Sequence, residues 1–232
     1  MPDAFDGYAA DYRELVEESV SFSGKKHDFF MRAKARVFED HIRSEYGAGA
    51  LGGQLKALDV GCGVGAMHPY VRSLFGHLAG VDVSGDSIAR ARASKAGADE
   101  YLKYDGERLP FAENAFDFTF CVCVLHHVPP ANWQVFVREM TRVTRPGGTV
   151  AIVEHNPYNP LTRLAVARCP FDHDAVLLQR RRSRHLLRAA GIKRTRGRYF
   201  LFAPSEHALA LSMERLLAGV PLGGQYVQFG MV

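Results

Sequence analysis

The spacing of apolar positions changes from helical to strand-like and back along the chain. Between His27 and Tyr46, the residues Phe30, Ala33, Val37, Phe38, Ile42 and Tyr46 recur at helical intervals, which predicts an amphipathic helix. A glycine-rich link, Gly47 to Gly53, ends it. Lys56 to Val60 is a short apolar run that meets Gly61-Cys62-Gly63-Val64-Gly65, the pattern of a buried strand feeding a tight turn and a helix. Leu78 to Val83 predicts a second strand, and Ser84 is placed to cap a helix over Asp86 to Lys95. Tyr101 to Tyr104 predicts a third strand, interrupted by charge. Phe116 to Val124 is continuously apolar and β-branched, as a central parallel strand buried on both faces would be. Trp133, Phe136, Val137 and Met140 then fall at i, i+3, i+4 and i+7 of a helix, which Arg145-Pro146-Gly147-Gly148 stops and turns into a fifth strand, Thr149 to Glu154.

Strands alternating with helices at this spacing predict an α/β domain with a doubly wound, mainly parallel sheet and helices on both faces. After the fifth strand the pattern predicts an irregular stretch rich in Pro and Asn (156–174) and a helix near Ser183 to Ala190. A strand near Ile192 to Phe202, an apolar helix near Ser205 to Ala218 and a last strand from Gln225 follow. The final two strands need not be parallel. No internal repeat or low-complexity tract is visible.

Composition narrows the class. With 47% apolar and 23% charged residues in 232, the chain has enough apolar material for one globular domain, which excludes disorder and fibres. The longest strongly apolar run, Phe120 to Leu125, is far short of the roughly 18 to 20 residues that cross a bilayer, so no membrane span is expected. The opening Met1-Pro-Asp-Ala-Phe-Asp6 is acidic where an export signal is basic, and a cytoplasmic protein is the expectation. Cys62, Cys121, Cys123 and Cys169 lack CxxC pairing and are expected to be reduced and mostly buried. The net charge of +4 is local: nine Lys or Arg and no acid lie between Arg180 and Arg198, and removing those nine from 29 leaves 20 basic against 25 acidic residues. Such a run is either a solvated helix face or a contact for an anionic partner.

In an open parallel sheet, ligands bind beyond the carboxyl ends of the strands, where the first glycine turn lets the backbone approach them. Gly61, Gly63 and Ala66 fit the dinucleotide pattern G-x-G-x-x-[G/A], so glycines alone leave a nicotinamide-dependent oxidoreductase open. Asp82 stands 21 residues after Gly61 at the end of the second strand, where a carboxylate accepts hydrogen bonds from ribose hydroxyls. Asp105 ends the third strand, within reach of an adenine amino group.

Taken in order, Leu58-Asp-Val-Gly-Cys-Gly-Val-Gly65, Gly80-Val-Asp-Val-Ser84, Asp105-Gly-Glu-Arg-Leu-Pro-Phe111, Phe116-Asp117, Val124-Leu-His-His-Val128 and Arg145-Pro-Gly-Gly148 resemble the class I S-adenosylmethionine-dependent methyltransferases, of the small-molecule type similar to the quinone-biosynthesis enzymes. The flank Phe5 to Tyr12 is similar to that family's lead-in. The resemblance implies a Rossmann-like, mainly parallel seven-stranded sheet in a single domain over 1–232. Within it, 1–50 would be a helical lead-in and lid, 54–155 the cofactor core and 156–232 the substrate side with the last strands. It implies that Gly61, Cys62 and Gly63 line the methionine part of S-adenosylmethionine with Asp59 supporting the turn, that Asp82 holds the ribose, and that Val83 packs on adenine. Asp105 would accept from the adenine amino group with Gly106 keeping the loop close, and the backbone near Cys121 and Val122 would face the methionine amino group. Three carboxylates and no P-loop lysine suit a sulfonium ligand better than a phosphorylated one.

Methyl transfer from a sulfonium depends mainly on in-line positioning and exclusion of water, so a base is optional. His126, His127, His155 and His173 are candidates by position. Leu125-His126 resembles the leucine-histidine step that supplies the base in many natural-product O-methyltransferases, although those continue with Asp-Trp and this chain with His127-Val128. The alternative is that both histidines cap and pack the next helix. Glu154 and His155 end the fifth strand facing the same cleft, and His155 is the second catalytic candidate. Cys169-Pro-Phe-Asp172-His173-Asp174 offers metal donors but matches no zinc spacing, so no metal is expected and a lid loop is. The expected partner is a small-molecule methyl acceptor without nucleic acid; an RNA methyltransferase using Arg180 to Arg198 is the alternative.

Overall fold

The computed structural model describes residues 12–232. The lead-in from Phe5 therefore lies outside the described residues up to Tyr12, where α1 (Tyr12–Ser19) begins. The amphipathic helix is α2 (His27–Tyr46), with the bounds its periodicity sets. It is followed by β1 (Lys56–Val60), a one-turn α3 (His68–Val71), β2 (His77–Asp82), α4 (Gly85–Ala93), β3 (Glu100–Lys103), β4 (Phe116–Val122), α5 (Trp133–Val143) and β5 (Thr144–His155). The C-terminal third adds α6 (Pro160–Arg168), α7 (Arg180–Ala189), β6 (Arg194–Phe200), α8 (Ala208–Leu217) and β7 (Gln225–Met231). Ser84 caps α4 as expected, its side chain accepting from the Ser87 backbone N–H at 3.1 Å.

These strands form one seven-stranded sheet in the order β3-β2-β1-β4-β5-β7-β6. The first five pair in parallel, and β7 runs antiparallel between β5 and β6. Both faces are covered, which is why the central strands are apolar without alternation. On β5, Ala151 and Val153 face the core layer holding Phe38 and Ile42 of α2, whereas Val150 and Ile152 face the layer holding Val137 and Met140 of α5. The strand order reverses at β1 and β4, so the crevice beyond their carboxyl ends is the place where a doubly wound sheet takes a ligand.

Two segments depart from the expected pattern. The stretch 156–174 contains α6 and a single tight turn at Pro170–Asp172. Its Asn and Pro residues are start signals rather than breakers: Asn159 caps α6 by accepting from the Thr162 N–H at 3.0 Å, and Pro160 occupies the first turn, where its missing N–H costs nothing. β5 begins at Thr144 rather than Thr149, and a register shift opposite Phe116 and Phe118 absorbs Pro146, Gly147 and Gly148. A side chain at Gly148 would lie 2.8 Å from the Asp117 carbonyl oxygen, so only glycine lets β5 press against β4 there.

Candidate functional site

At the carboxyl ends of the parallel strands lies a cavity of about 1000 Å³. Its first wall is the glycine turn. Gly61 has φ +80°, and a Cβ there would stand 2.7 Å from both methyls of Val124, so the turn after β1 lies directly on the loop after β4. Asp82 fixes the turn from the other side: one carboxylate oxygen accepts from Gly63 N–H at 2.7 Å and the other from Ser84 N–H at 2.9 Å. Burial pushes the Asp82 carboxyl above its usual range, and those donors pull it back. Val83 and Gly106 line the same wall. Asp105 sits exposed at the rim, where the N–H groups of Arg108 and Glu107 hold its carboxyl below the usual range.

Asp59 is buried at the base of the wall. One oxygen is 3.0 Å from His68 Nε2, and His68 Nδ1 is 2.7 Å from the Tyr101 hydroxyl, a chain of contacts that ties β1, α3 and β3. The other oxygen, Oδ1, is buried without a hydrogen-bond partner among the described residues. Burial raises the Asp59 carboxyl, opposed by His68. Cys62 is on the cavity wall, but burial lifts its thiol well above the ordinary value, so it is an inert lining group. The Cys121 side chain lies in the core layer with Trp133 and Phe136, while Val122, at the end of β4, and Cys123 after it line the cavity.

The second wall carries the titratable groups. Cys123 adopts φ +57°, unusual for a residue with a side chain, and this twist swings the following backbone over the end of β5. Val124 and Leu125 then donate their N–H groups to Glu154 Oε1 at 3.1 and 2.7 Å, and His126 Nδ1 lies 2.6 Å from Glu154 Oε2. Glu154 and His126 are both buried. Asp172, from the turn after α6, approaches from above, 3.2 Å from His127 Nε2 and 3.6 Å from His126 Nε2. Burial works against charge on His126, but the neighbouring Glu154 and Asp172 outweigh it and hold its pKa well above the ordinary histidine value.

This geometry bears on the base role expected of His126: its two carboxylate neighbours favour the protonated ring and so weaken it as a proton acceptor. His155 is the neutral ring of the group: burial and the charge of His126 push its pKa down to about 4. It lines the cavity with its ring centre 5.2 Å from that of His126. His173 is almost fully exposed beside Asp174 and does not line the cavity. One residue in this wall escaped the sequence reading: Lys34 of α2 is 4% exposed, and burial lowers its pKa. Its signal was available, since Lys34 is a charge set on the apolar stripe of Phe30, Ala33, Val37 and Phe38. The third wall, from α1, the start of α2 and α6, is apolar and includes Val16, Val20, Phe30, Leu161 and Val166.

Comparison with known proteins agrees with this geometry. Residues 58–152 match a family described as a methyltransferase domain. The chain is 36% identical to the methyltransferase GfsG of Streptomyces halstedii over 173 residues, 66% of this chain and 60% of that protein. It is 36% identical to the demethylmenaquinone methyltransferase of Staphylococcus aureus over 107 residues, 43% of each. In both cases the match spans less than two thirds of the relative's own length. Among solved structures, an S-adenosylmethionine-dependent methyltransferase from Thermotoga maritima, described as a possible histamine N-methyltransferase, superposes with a TM-score of 0.67 and 19% identity over 99% of each chain. The fold is the Rossmann-like fold of the class I methyltransferases. The methyltransferase domain holds the glycine turn, Asp82, Asp105 and His126, whereas Lys34, Glu154, His155 and Asp172 lie outside the matched segment.

Proposed function

We propose that the protein transfers a methyl group from S-adenosylmethionine to a small organic acceptor. The observation that carries this reading is the acid-lined cavity at the switch point of the sheet, where Gly61 presses on Val124 and Asp59, Asp82 and Asp105 share the lining. The residues fit the cofactor. Asp59 keeps one buried oxygen without a partner, the glycine turn leaves a cradle at Gly63, where a Cβ would meet nothing within 4 Å, and no lysine stands in that turn to suit a phosphate. Gly61, Cys62, Gly63 and Val122 would hold the methionine part, Asp82 the ribose, and Val83, Asp105 and Gly106 the adenine. The cofactor supplies an activated methyl on a sulfonium.

The chain's own residues position and enclose. The apolar wall of Val16, Val20, Phe30, Leu161 and Val166 excludes water, which would otherwise compete with the acceptor. His155, neutral at working pH, has Nδ1 3.4 Å from the Gln225 amide nitrogen, which leaves its Nε2–H to donate a hydrogen bond to an oxygen of the acceptor and orient it. With a pKa pushed down to about 4 it is a weak base, so proximity supplies most of the rate. The N-terminal helices and 156–174 act as lids on the two sides of this wall.

The nicotinamide and RNA readings have less support. In the basic run, Arg194 pairs with Glu45 at 2.7 Å, Arg198 with Asp40 at 2.8 Å, and Arg180 lies over the Tyr199 ring, so part of its charge is already engaged. Calorimetry with S-adenosylmethionine and NAD separates the first pair of readings, with binding of S-adenosylmethionine expected and tight NAD binding alone overturning it. Incubation with methyl-labelled cofactor and a fractionated metabolite extract then identifies the acceptor as the compound that becomes labelled.

A further inference from the structure

We propose that His126 Nε2, His127 Nε2 and a carboxylate oxygen of Asp172 form a site for a divalent first-row transition-metal ion in the cavity wall, with Glu154 as the outer carboxylate that orients His126. The three ligand atoms lie within 4.8 Å of one another. Two of the separations are decisive. His126 Nε2 is 3.6 Å from Asp172 Oδ1, too long for a hydrogen bond to close, and His127 Nε2 is 3.2 Å from the same oxygen. Neighbouring ligands on one ion, at bond lengths near about 2.1 Å, stand roughly 3.0 to 3.4 Å apart in octahedral or tetrahedral geometry. Both separations to the Asp172 oxygen therefore match co-ligand spacing within a few tenths of an ångström.

The surroundings fit the same assignment. A metal-binding imidazole gives its second nitrogen to a carboxylate or carbonyl, and His126 Nδ1 is 2.6 Å from Glu154, which is itself held by the N–H groups of Val124 and Leu125. With Nδ1–H donated to Glu154, His126 turns Nε2 toward the Asp172 carboxylate, and a divalent ion entering there would displace the Nε2 proton and take its place between the two. A divalent ion balances Glu154 and Asp172, the two carboxylates of the cluster. Two imidazole nitrogens with one carboxylate select zinc, cobalt, iron or manganese over calcium and magnesium, which take oxygen ligands.

Sequence spacing hid this set because its members come from two segments: His126 and His127 share the tight turn Leu125–His127, and Asp172 ends the turn after α6. The expectation of no metal rested on the local pattern around Cys169, which lacks the partners that the fold brings from β4. Since all three residues line the cavity, the remaining coordination positions face the acceptor, and an acceptor with a hydroxyl or carbonyl oxygen is the ligand class they would take. That last consequence rests on the proposed methyl transfer; binding of the ion does not.

The test uses the untagged full chain, stripped with a chelator and titrated with Zn²⁺ by calorimetry and with Co²⁺ by visible absorption. One equivalent should bind at micromolar affinity or tighter. His127→Ala and Asp172→Asn should each weaken binding at least about tenfold, and Glu154→Gln by about 10- to 100-fold. His173→Ala, on an exposed His beside a carboxylate, should change nothing. Because a variant in this cluster can fail to fold, the unsubstituted chain loaded with Cu²⁺ is also examined by pulsed EPR, where couplings from two imidazole nitrogens are expected. Substoichiometric binding, a spectrum without nitrogen couplings, or undiminished Co²⁺ binding by folded His127→Ala and Asp172→Asn would overturn the site. S-adenosylmethionine binding is measured on the same stripped sample, so retained cofactor binding without metal binding defeats the metal site and leaves the methyltransferase reading standing.

Discussion

Asp82 accepts the backbone N–H of Gly63 at 2.7 Å, so the carboxylate that ends β2 also holds the glycine turn that follows β1. One side chain thereby shapes the cradle and, in the proposed complex, contacts the ribose. Removing it deletes two hydrogen bonds to a charged acceptor, each worth about 1.5 to 3 kcal/mol. Asp82→Ala is expected to weaken S-adenosylmethionine binding about tenfold or more, and also to lower the denaturant midpoint. Asp82→Asn should recover part of the stability and less of the affinity, since its amide keeps one acceptor. Calorimetry with parallel urea melts checks both; unchanged affinity in a folded Asp82→Ala protein would remove Asp82 from the site.

Gly61 carries a second, steric prediction. A methyl there meets both Val124 methyls at 2.7 Å and must adopt φ +80°, so Gly61→Ala should cost about 1 to 3 kcal/mol and close the cradle. Adding Val124→Ala removes the methyls but not the backbone strain, so the double variant should recover only part of the loss. Full recovery of the melting temperature would show that packing alone sets the glycine requirement.

Much of this cradle was legible before the fold was known, because each of its parts is a short local pattern: the glycine turn, and the carboxylate ending β2 with the cap at Ser84, are patterns that a strand and a turn enforce. The wall of titratable groups was legible only in part. His126, Glu154 and His155 were found by their position at strand ends, but their division of charge depends on Asp172, brought in from the turn after α6. The sequence cannot state which of two adjacent imidazoles sits between carboxylates. That Asn159 and Pro160 begin a helix was not read from the sequence, because Asn and Pro also mark turns and breaks; in the fold Thr162 Oγ1 ties that start to the Gly224 carbonyl at 2.8 Å. His68 was missed because its role, bridging Asp59 and Tyr101, has no local spacing.

Acid should destabilise the fold through His41. This ring is buried, stacks on Phe229 with centroids 3.8 Å apart, and has its pKa pushed down to about 3 by burial and by Arg196, Arg198 and Arg194 of β6. The unfolded chain binds a proton near pH 6.5 that the folded chain refuses until about pH 3. Its contribution is therefore fully present above pH 6.5 and is lost as pH falls through that window, at up to about 1.4 kcal/mol per pH unit. His41→Gln should flatten the slope of unfolding free energy between pH 6 and 4, measured by urea titration at each pH. An equal slope in the variant would assign acid sensitivity to other groups.

The basic run is expected not to be a nucleic-acid site. Two of its arginines are ion-paired to α2, through Glu45 and Asp40, and a binding surface would have to break those pairs. RNA retained at micromolar affinity in physiological salt, with affinity falling steeply as salt rises and lost on neutralising Arg180, Arg181 and Arg182, would contradict this. Weak binding that vanishes at moderate salt is the expected result.

Thr162 is the one buried residue of α6, while Leu161 and Leu164 are 57% and 39% exposed, so few apolar contacts hold the helix down. Its start is anchored: Asn159 donates to the Leu222 carbonyl at 2.7 Å and Asn156 to that of Gly223 at 2.7 Å. A helix fixed at one end and lightly packed along its length opens locally at small cost, and α1 packs against the same helix across the cavity mouth. Filling the cavity adds contacts to Leu161, Ala165 and Val166 on one side and Val16 and Val20 on the other, which stabilises the closed arrangement and slows amide exchange. Hydrogen exchange of residues 12–19 and 160–168 should therefore slow several-fold when the demethylated cofactor product is added. The central strands β4 and β5 should already be protected and change little. Identical exchange of both helices with and without the product, under conditions where calorimetry shows it bound, would make them fixed walls rather than lids.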